Sequence, residues 1–406
     1  MEENIKRNVF WNSLGSFVYL IAQWLLTFFV VRISTTLTDA GNLSLAISIT
    51  NIFFNIACFN VRPFMVSDIE EKYTIDEYVS FRTITCLISI ILCFIYILFF
   101  NYSFTQLMTI MLFMLFKVGE AVVDVFHSIE QRASRMDIGG LSLLIRGVIL
   151  LIMFVIGMIV FSNLNIAIIL MILGTWLFIY LFDYKMVRNF SEIHINIKIS
   201  SVVKMFWEFF PLAIAAFIGT FCTSLPRQFL ESMRGTEVLG VYATIATPAV
   251  IVQVATTYIY NPILVSFANL RTNHCKKEFI NLFVKVSMII FGIGVASFIG
   301  AIFLGHLGLY ILYGQKIAKY SYLFLPIILY TAINGYFWFC GNIMIIFRRK
   351  MWIVITNLTG LVICLCFSSL FINLFSMNGV TLVMLLLTIL MTMEYLFIII
   401  KEIKNL

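Results

Sequence analysis

The stretch Phe209–Leu230 reads FFPLAIAAFIGTFCTSLPRQFL, and it is apolar along most of its length. About twenty apolar residues in a helix cross the roughly 30 Å hydrocarbon core of a bilayer. Pro226 and Arg227 stand near one end, where the proline removes a backbone hydrogen bond and the guanidinium is costly to place in lipid. The stretch therefore predicts a bent, membrane-spanning helix in which a positive charge has a specific use.

Similar apolar runs recur along the whole chain. Of its 406 residues, 62% are hydrophobic and 12% are charged, which is more apolar than a water-soluble chain of this length can bury. No polar segment is long enough for a large extramembrane domain. Twelve spanning helices are predicted, at 9–31, 41–65, 81–100, 104–126, 138–161, 164–184, 206–230, 238–268, 280–304, 320–346, 352–373 and 377–400.

Basic residues collect on one side of the predicted bundle. Nineteen Lys and Arg lie in loops on the side of the N-terminus, and four lie opposite, namely Arg32, Arg234, Lys316 and Lys319. Because Lys and Arg concentrate on the cytoplasmic face, we predict that both termini are cytoplasmic. The formal net charge of +7 is then a signal of topology, and no nucleic-acid partner is expected.

The two halves of the chain echo each other. The first crossing begins Thr38-Asp-Ala-Gly, and the crossing after helix seven begins Thr236-Glu-Val-Leu-Gly. Parallel repeats of six helices suit a transporter with a pathway between the repeats. We therefore predict an N-terminal six-helix lobe at 1–190, a cytoplasmic linker at 191–205 and a C-terminal six-helix lobe at 206–406.

The sequence carries no recognisable catalytic motif. It lacks a nucleotide-binding glycine loop, a nucleophile elbow and an HExxH zinc motif, and its eight cysteines include no CxxC pair. The longest predicted outer loop, 305–319, is short and contains one histidine, His306. We therefore expect a protein that is not an enzyme and that has no cofactor, metal or disulfide.

Four of the six prolines fall in helices seven and eight, namely Pro211, Pro226, Pro248 and Pro262. A proline in a helix frees the carbonyl four residues earlier, which is that of Cys222 for Pro226 and that of Thr244 for Pro248. Bilayers tolerate freed carbonyls where side chains or a cavity satisfy them, and kinked helices are typical of gates. Pro226, Pro248 and Pro262 are candidate hinges, although proline is also frequent in ordinary membrane helices.

Helices four and five carry four charges in their apolar runs: Lys117, Glu120, Asp124 and Arg146. Lys117 and Glu120 share a helix face, as do Glu120 and Asp124. Glu120 and Arg146 lie at similar depth, roughly 9–12 Å from the cytoplasmic ends at 1.5 Å per residue, so an ion pair is one interpretation. Coupling of transport to protons or sodium is a second interpretation, and substrate contact is a third.

Other polar side chains in the apolar runs are candidate substrate contacts: Arg227, Arg62, Gln23 and Gln253. Each has an alternative role, because arginines near helix ends snorkel to the headgroups and amides bond neighbouring helices. Counted together, the interior charges are four cations and two anions, a net +2. Excess positive charge in a wet cleft favours an anionic cargo, and a planar guanidinium binds two phosphate oxygens.

Three segments resemble one transporter family. The first runs from Arg62 through Val66-Ser67-Asp68, Tyr73 and Tyr78 to Arg82. The second is Lys117-Val-Gly-Glu-Ala-Val-Val-Asp124 with Gln131-Arg132, Asp137-Ile-Gly-Gly and Arg146, and the third is Pro226-Arg227 with Gly240, Pro248 and Pro262. They are similar, in that order, to the helix two–three, four–five and seven–eight regions of Wzx-type polysaccharide flippases. These belong to the multidrug/oligosaccharidyl-lipid/polysaccharide exporter superfamily, and the resemblance covers most of the first 270 residues.

The resemblance implies an all-α integral membrane fold of two parallel six-helix lobes around a central cavity, as in MATE transporters. The implied cargo is an undecaprenyl-pyrophosphate-linked oligosaccharide, flipped by alternating access from the cytoplasmic to the outer leaflet of a bacterial cytoplasmic membrane. The product would serve O-antigen, capsule or exopolysaccharide synthesis, and Arg227 is the implied main contact. Membrane lipids and other polysaccharide-assembly proteins are the implied partners.

Two alternatives stay open. A multidrug or organic-cation antiporter of the same superfamily would want unpaired carboxylates facing the cleft of the first lobe. An integral-membrane glycan-modifying enzyme would need a sizeable outer loop or paired catalytic groups at an interface. The surplus of cations disfavours the first alternative, and the short outer loops disfavour the second.

Overall fold

The computed structural model describes residues 2–34, 36–68, 72–194 and 197–404, and these residues form helices and connecting turns without a β-strand. In chain order the α-helices are α1 (Glu2–Ile33), α2 (Thr38–Cys58), α3 (Val61–Ser67), α4 (Ile75–Leu98), α5 (Phe104–Arg132), α6 (Met136–Phe161), α7 (Leu164–Phe178), α8 (Tyr184–Arg188), α9 (Ile199–Arg234), α10 (Thr236–Tyr260), α11 (Leu264–Thr272), α12 (Lys276–Tyr313), α13 (Gln315–Ala318), α14 (Phe324–Ile346), α15 (Lys350–Phe375) and α16 (Met377–Lys404). A π-helical segment, Ile179–Asp183, joins α7 to α8, and 3₁₀ turns lie at Asn261–Ile263 and Ser321–Leu323.

Each of the twelve predicted spans corresponds to a long helix or to a helix interrupted by one short break. Eleven of these spans, within the described residues, are long and apolar enough to cross a membrane. The remaining long helix, α5, has 29 residues and carries Lys117, Glu120 and Asp124 in its interior. The chain is therefore an all-α, multi-pass membrane protein, and its most highly charged span needs a protein environment for those charges.

The chain packs as two compact units, Met1–Thr220 and Phe221–Leu406. The division falls inside α9, whose N-terminal part packs in unit 1 and whose C-terminal part packs in unit 2. The boundary between the two packed units thus lies within the first helix of the predicted C-terminal lobe, and not in the polar segment 191–205.

In unit 1, α1 lies directly against α6. A Cβ added at Gly15 would overlap the carbonyl of Gly140, and a Cβ added at Gly140 would overlap the backbone of Trp11. Glycines that let two backbones touch are a common packing device between membrane helices. Beyond this contact, the Asn8 side chain donates to the carbonyl of Ser134 at 2.7 Å, which fixes the end of α1 beside the α5–α6 turn.

A break separates α2 from α3 in unit 1. The sequence predicted one helix at 41–65, but α2 ends at Cys58, and Phe59 and Asn60 adopt positive φ of 45° and 52° before α3 begins. Pro63 explains the break, because in a continuous helix its ring would clash with the carbonyl of Phe59, four residues earlier. In the first turn of α3 the missing N–H of Pro63 costs little.

Unit 2 is packed mainly by aromatic and aliphatic side chains. One buried cluster joins α10, α11, α12, α14 and α16. Its buried members are Tyr260, Phe267, Phe279, Val286, Ile290, Phe339, Cys340, Ile343, Met344, Phe347, Tyr395, Ile398, Ile399 and Ile403. The predicted helix 238–268 is interrupted, since α10 ends at Tyr260 and the 3₁₀ turn Asn261–Ile263 contains Pro262. Pro262 therefore stands at a helix junction and not inside a continuous helix, and its side chain lies outside the described residues.

Candidate functional site

The polar residues of α5 form one stripe that organises unit 1. Lys117, Glu120, Asp124, His127 and Gln131 follow one another at steps of three or four residues, so they share a helix face. The stripe meets side chains from α1, α3, α4, α6 and the π-helical segment, as the next paragraphs describe. The spacing of its first three members was readable from the sequence.

Asp124 is held by two arginines. Arg82 Nη2 donates to Asp124 Oδ2 at 2.8 Å, and Arg62 Nη1 lies 3.3 Å from Asp124 Oδ1. Arg62 also donates from Nη2 to Gln131 Oε1 at 3.1 Å. Its side chain is 36% exposed, whereas that of Arg82 is 1% exposed. Arg62 is therefore partly engaged by α5 and partly open to its surroundings.

Arg82 is a buried structural cation. It is the second residue of the predicted span 81–100, and it is one of the nineteen basic residues that were predicted to lie on the cytoplasmic side. Its Nη1 donates to the carbonyl of Ala57 at 2.8 Å, and Thr85 Oγ1 donates to the same carbonyl at 2.8 Å. Ala57 is in the last turn of α2, where the break at Phe59 leaves carbonyls without helical partners. A cation at a helix C-terminus also complements the helix dipole.

Glu120 and Arg146 form the second ion pair of the stripe. Arg146 Nη1 lies 3.0 Å from Glu120 Oε1, and the Arg146 side chain is 2% exposed. The guanidinium also stands over the ring of Tyr19, 5.2 Å from its centroid. Gln23, one turn along α1 from Tyr19, is half-buried beside this group. The structure thus brings together Gln23, Glu120 and Arg146, three of the residues selected from the sequence.

Lys117 faces aromatic rings. Its Nζ lies 5.1 Å from the ring centroid of Phe54 and 5.9 Å from that of Phe113. Cation–π contacts stabilise an ammonium group that is removed from water. Lys117 is also close enough to Glu120 for their charges to interact.

In unit 2, Arg227 lies in different surroundings. No carboxylate oxygen of the described residues lies within 4.0 Å of its guanidinium, and its buried Nε has no hydrogen-bond partner among them. The nearby polar groups include Tyr242 from α10 and Tyr330 from α14, both buried and close enough for electrostatic interaction. Tyr242 in turn lies 3.2 Å, hydroxyl to hydroxyl, from Thr381. Arg227 is a half-buried cation among tyrosines.

Gln253 is bonded to a neighbouring helix. It is buried, and its Oε1 accepts a hydrogen bond from Asn334 Nδ2 on α14 at 3.0 Å. This geometry corresponds to the helix–helix alternative that the sequence left open. A substrate contact at Gln253 therefore stays a prediction.

The helices remain continuous at Pro226 and Pro248. Pro226 frees the carbonyl of Cys222, and the thiol of Cys364 on α15 donates to that carbonyl with a sulfur–oxygen distance of 3.5 Å. A side chain therefore satisfies the freed group, as expected for a proline in a membrane helix. Pro248 lies inside α10.

The loop between α3 and α4 carries the motif residues Asp68, Tyr73 and Tyr78. Burial raises the pKa of Asp68, but hydrogen bonds from the backbone N–H groups of Lys72 and Tyr73 and from the Tyr78 hydroxyl outweigh burial, so the pKa is lowered overall. Burial and a hydrogen bond to Glu208 raise the pKa of Tyr73 to about 12. These bonds fix the loop against α4 and against the start of α9.

Three buried ionisable residues were missed. His127 and Glu130 follow the predicted end of helix four at residue 126, but α5 continues to Arg132. Asp183, at the predicted end of helix six, belongs to the π-helical segment. Glu130 and Asp183 are fully buried, so the predicted net +2 omitted two interior anions as well as the interior cation Arg82. The helical spacing of Glu120, Asp124 and His127 was the signal that α5 continues.

Comparisons with known proteins agree with the fold. No protein-family model matches the chain. A curated relative, the capsular polysaccharide biosynthesis protein CapF of Staphylococcus aureus, is 28% identical over 312 residues, which are 76% of this chain and 78% of the relative.

Solved structures of transporters superpose over nearly the whole chain. The lipid II flippase MurJ, in an inward closed conformation, has a TM-score of 0.74 at 12% identity and covers 95% of this chain and 86% of its own. A point mutant of the Vibrio cholerae MATE transporter VcmN has a TM-score of 0.67 at 12% identity. The match covers 100% of this chain and 98% of the transporter. The chain therefore has the fold of MATE-type transporters.

Proposed function

We propose that this chain flips an undecaprenyl-pyrophosphate-linked oligosaccharide from the cytoplasmic to the outer leaflet of a bacterial cytoplasmic membrane. The observation that carries the proposal is Arg227, a half-buried guanidinium for which the described residues provide no carboxylate within 4.0 Å. A cation kept out of water without an acidic partner is costly, so the protein retains it for a ligand that supplies negative charge.

A pyrophosphate fits the groups around Arg227. The guanidinium presents a planar fork that binds two phosphate oxygens at once, and charge-assisted bonds of this kind are the strong ones. The hydroxyls of Tyr242 and Tyr330 add donors on neighbouring helices. Because the polyprenyl tail is as apolar as the membrane, it stays in lipid while the headgroup occupies the polar site.

The acids of unit 1 disfavour the organic-cation alternative. Glu120 and Asp124 are already paired with Arg146 and with two arginines, respectively. The unpaired carboxylates, Glu130 and Asp183, are 0% exposed and so are closed to a bulky cargo. None of these four carboxylates is therefore both accessible and unpaired, so they offer no site to an organic cation.

The remaining candidates take supporting roles in the proposal. Arg62 contributes positive potential, because it shares the single carboxylate of Asp124 with Arg82. Arg146 is paired with Glu120, so any contact it makes with the cargo is through its remaining N–H groups. Gln23 and Gln253 contact the sugars through their remaining amide groups. Pro226 and Pro248 within their helices, and Pro262 at the helix junction that follows, are the places where the chain bends during the transport cycle. The fold, and the relative that is named for capsular polysaccharide biosynthesis, support this assignment.

Loss of the gene tests the function in cells. A deletion strain should lose its surface polysaccharide and accumulate the lipid-linked oligosaccharide in the cytoplasmic leaflet, as measured by mass spectrometry of extracted lipids and by protection from externally added enzymes. Normal amounts of both would reject the proposal, and export of an organic cation by the purified protein would replace it.

Variants of Arg227 test the site. In proteoliposomes with a fluorescent lipid-linked oligosaccharide, Arg227→Gln should slow flipping about 10–100-fold, the equivalent of a lost charge-assisted bond. Arg227→Lys should retain part of the rate. Arg234→Gln is the matched control, because Arg234 lies at the exposed end of the same helix and bonds backbone carbonyls of Ile372 and Asn373. Equal rates for Arg227→Gln and the unmodified protein would remove Arg227 from the mechanism.

A further inference from the structure

Unit 1 contains a buried ionisable cluster that the proposed cargo does not reach. His127 and Glu130 come from α5, and Asp183 comes from the π-helical segment. Their side chains are 7%, 0% and 0% exposed, respectively. His127 Nε2 lies 4.0 Å from Asp183 Oδ1, which is longer than a hydrogen bond. Both carboxylate groups and His127 Nε2 have no hydrogen-bond partner within the described residues.

The neighbouring cations are committed elsewhere. The charged groups close enough to act on the cluster come from α3, α5, α6 and the α5–α6 turn, and they are Arg62, Glu120, Arg135, Asp137 and Arg146. Arg146 is paired with Glu120 and Arg62 with Asp124, while Arg135 Nε lies 2.9 Å from Asp137 Oδ1. The cluster therefore has no cation of its own to neutralise its two carboxylates.

The walls of the cluster are close and contain a further polar group. A Cβ added at Gly139 on α6 would stand 2.9 Å from Glu130 Oε2 and 3.2 Å from the His127 ring. Ser142, one turn later on α6, is fully buried near Asp183, but its Oγ makes no hydrogen bond of ordinary length among the described residues. A hydroxyl, an imidazole nitrogen and two carboxylates thus lie close together without a hydrogen bond between them.

Electrostatics decides the charge of such a group. Two ionised carboxylates that are buried, unpaired and close to each other are both desolvated and mutually repelled, so at least one of them holds a proton. We propose that Glu130 and Asp183, with His127 and Ser142, form an internal proton-binding site. Binding converts one carboxylate and one proton into a carboxylic acid, and release reverses this step without any other reactant.

The local backbone sets Asp183 apart. Asp183 is the last residue of the π-helical segment Ile179–Asp183, which holds more residues per turn than an α-helix. Such segments often mark functional sites, because the extra residue turns the following side chains to another face. Asp183 and Glu130 stand near the ends of their helices on the side that the basic loops assign to the cytoplasm.

Coupling to transport is the role that follows, and this part rests on the proposed flipping activity. Since the cluster adjoins Arg146 and the α5 stripe, a change of its charge alters the field on the ion pairs that hold α5 to α3, α4 and α6. Proton uptake and release would then bias unit 1 between two arrangements, and a proton gradient would drive the cycle.

Infrared spectroscopy tests the site without any transport assay. At neutral pH the purified protein in lipid nanodiscs should show the carbonyl band of a buried, protonated carboxylic acid. Glu130→Gln or Asp183→Asn should remove that band. The control Glu208→Gln should leave it intact, because Glu208 is bonded by Lys72 and Tyr73 and is not among the charged groups that act on the cluster. The two variants keep the shape of the side chain. If one of them fails to fold, the other still tests the proton-binding site.

Transport then tests the coupling. In proteoliposomes, an imposed pH gradient should accelerate flipping by the unmodified protein and should have no effect on Asp183→Asn. A protonated-carboxyl band that persists unchanged in both cluster variants would overturn the proton site, and so would a band that vanishes on addition of Na⁺ at constant pH. If the band behaves as expected but the protein flips no lipid-linked oligosaccharide, the proton site stands and the proposed function fails.

Discussion

The two units treat polar groups in lipid differently. In unit 1 the α5 stripe presents Glu120 and Asp124 to arginines of α3, α4 and α6, and the charges become partners of one another. In unit 2 the helices are held by a large aromatic and aliphatic cluster and by neutral bonds, such as that between Gln253 and Asn334. Arg227 in unit 2 differs from the unit 1 arginines, because it is half-buried and no described carboxylate pairs with it.

This contrast separates stability from ligand binding. An arginine that bonds a carboxylate and a helix-end carbonyl has a structural role, and its removal strands those groups in a dry interior. An arginine without an acidic partner raises the free energy of the folded protein when no ligand is bound. A bound anion pairs with the guanidinium and removes this cost. The ion pairs of the α5 stripe should therefore control unfolding, and the charge of Arg227 should control transport.

The largest effect is expected for Arg82→Leu. The substitution leaves Asp124 with one partly exposed arginine and leaves the carbonyl of Ala57 with Thr85 alone. Breaking a buried pair of this kind typically costs about 3–5 kcal/mol. Reversible denaturation in detergent, followed by circular dichroism, measures the loss. Arg82→Leu combined with Asp124→Leu should regain part of it, and a single variant within about 1 kcal/mol of the unmodified protein would show that this junction is dispensable.

A smaller effect is expected for the pair Glu120 and Arg146. In a double-mutant cycle with leucine at each position, the coupling free energy should be about 1–3 kcal/mol, because each single variant leaves a charge in the interior. Chemical unfolding of the four proteins supplies the cycle. Additive single effects would mean that the 3.0 Å contact contributes nothing, and unit 1 would then resemble unit 2 in its tolerance of unpaired charge.

Much of the fold was predictable because its cause is local. The positions of the long helices follow from apolar runs of bilayer length, and the shared face of Lys117, Glu120 and Asp124 follows from helical spacing. The depth of Glu120 and Arg146 along antiparallel helices was enough to suggest their pairing.

The errors have a common source in tertiary context. A polar residue at the edge of an apolar run is easily taken for the start of a loop. Arg82 was therefore counted with the basic residues of the cytoplasmic loops, and His127 and Glu130 fell beyond the predicted end of helix four. In the structure other helices cover these edges, and α5 extends to Arg132 with its charges inside the unit. Pro63 indicates a break near Phe59. The sequence does not show which groups then bond the carbonyls at the end of α2, and in the structure Arg82 and Thr85 bond that of Ala57.

A minor, pH-dependent effect is expected for Asp68→Asn in the α3–α4 loop. Since hydrogen bonds lower the pKa of Asp68 in the folded protein, the carboxylate stabilises the fold at neutral pH, and this contribution disappears as the pH falls through the folded-state pKa. The variant should be less stable at pH 7 by under about 1 kcal/mol, given the partial exposure of the loop. Its thermal midpoint should converge with that of the unmodified protein in acid, and a constant difference at every pH would assign the effect to packing.

The smallest change in stability is expected for Arg227→Leu, and it bears most directly on the contrast between the units. Because no described carboxylate depends on Arg227, its loss should change the free energy of unfolding by less than about 0.5 kcal/mol, or should stabilise the protein by removing a desolvated charge. The same variant should slow flipping at least as much as Arg227→Gln does. Arg82→Leu, by contrast, should unfold at a lower denaturant concentration than Arg227→Leu. Denaturation and proteoliposome assays on one preparation measure both quantities. A strongly destabilised Arg227→Leu would mean that this guanidinium has a structural role, as the unit 1 arginines do, and the anion site would have to lie elsewhere.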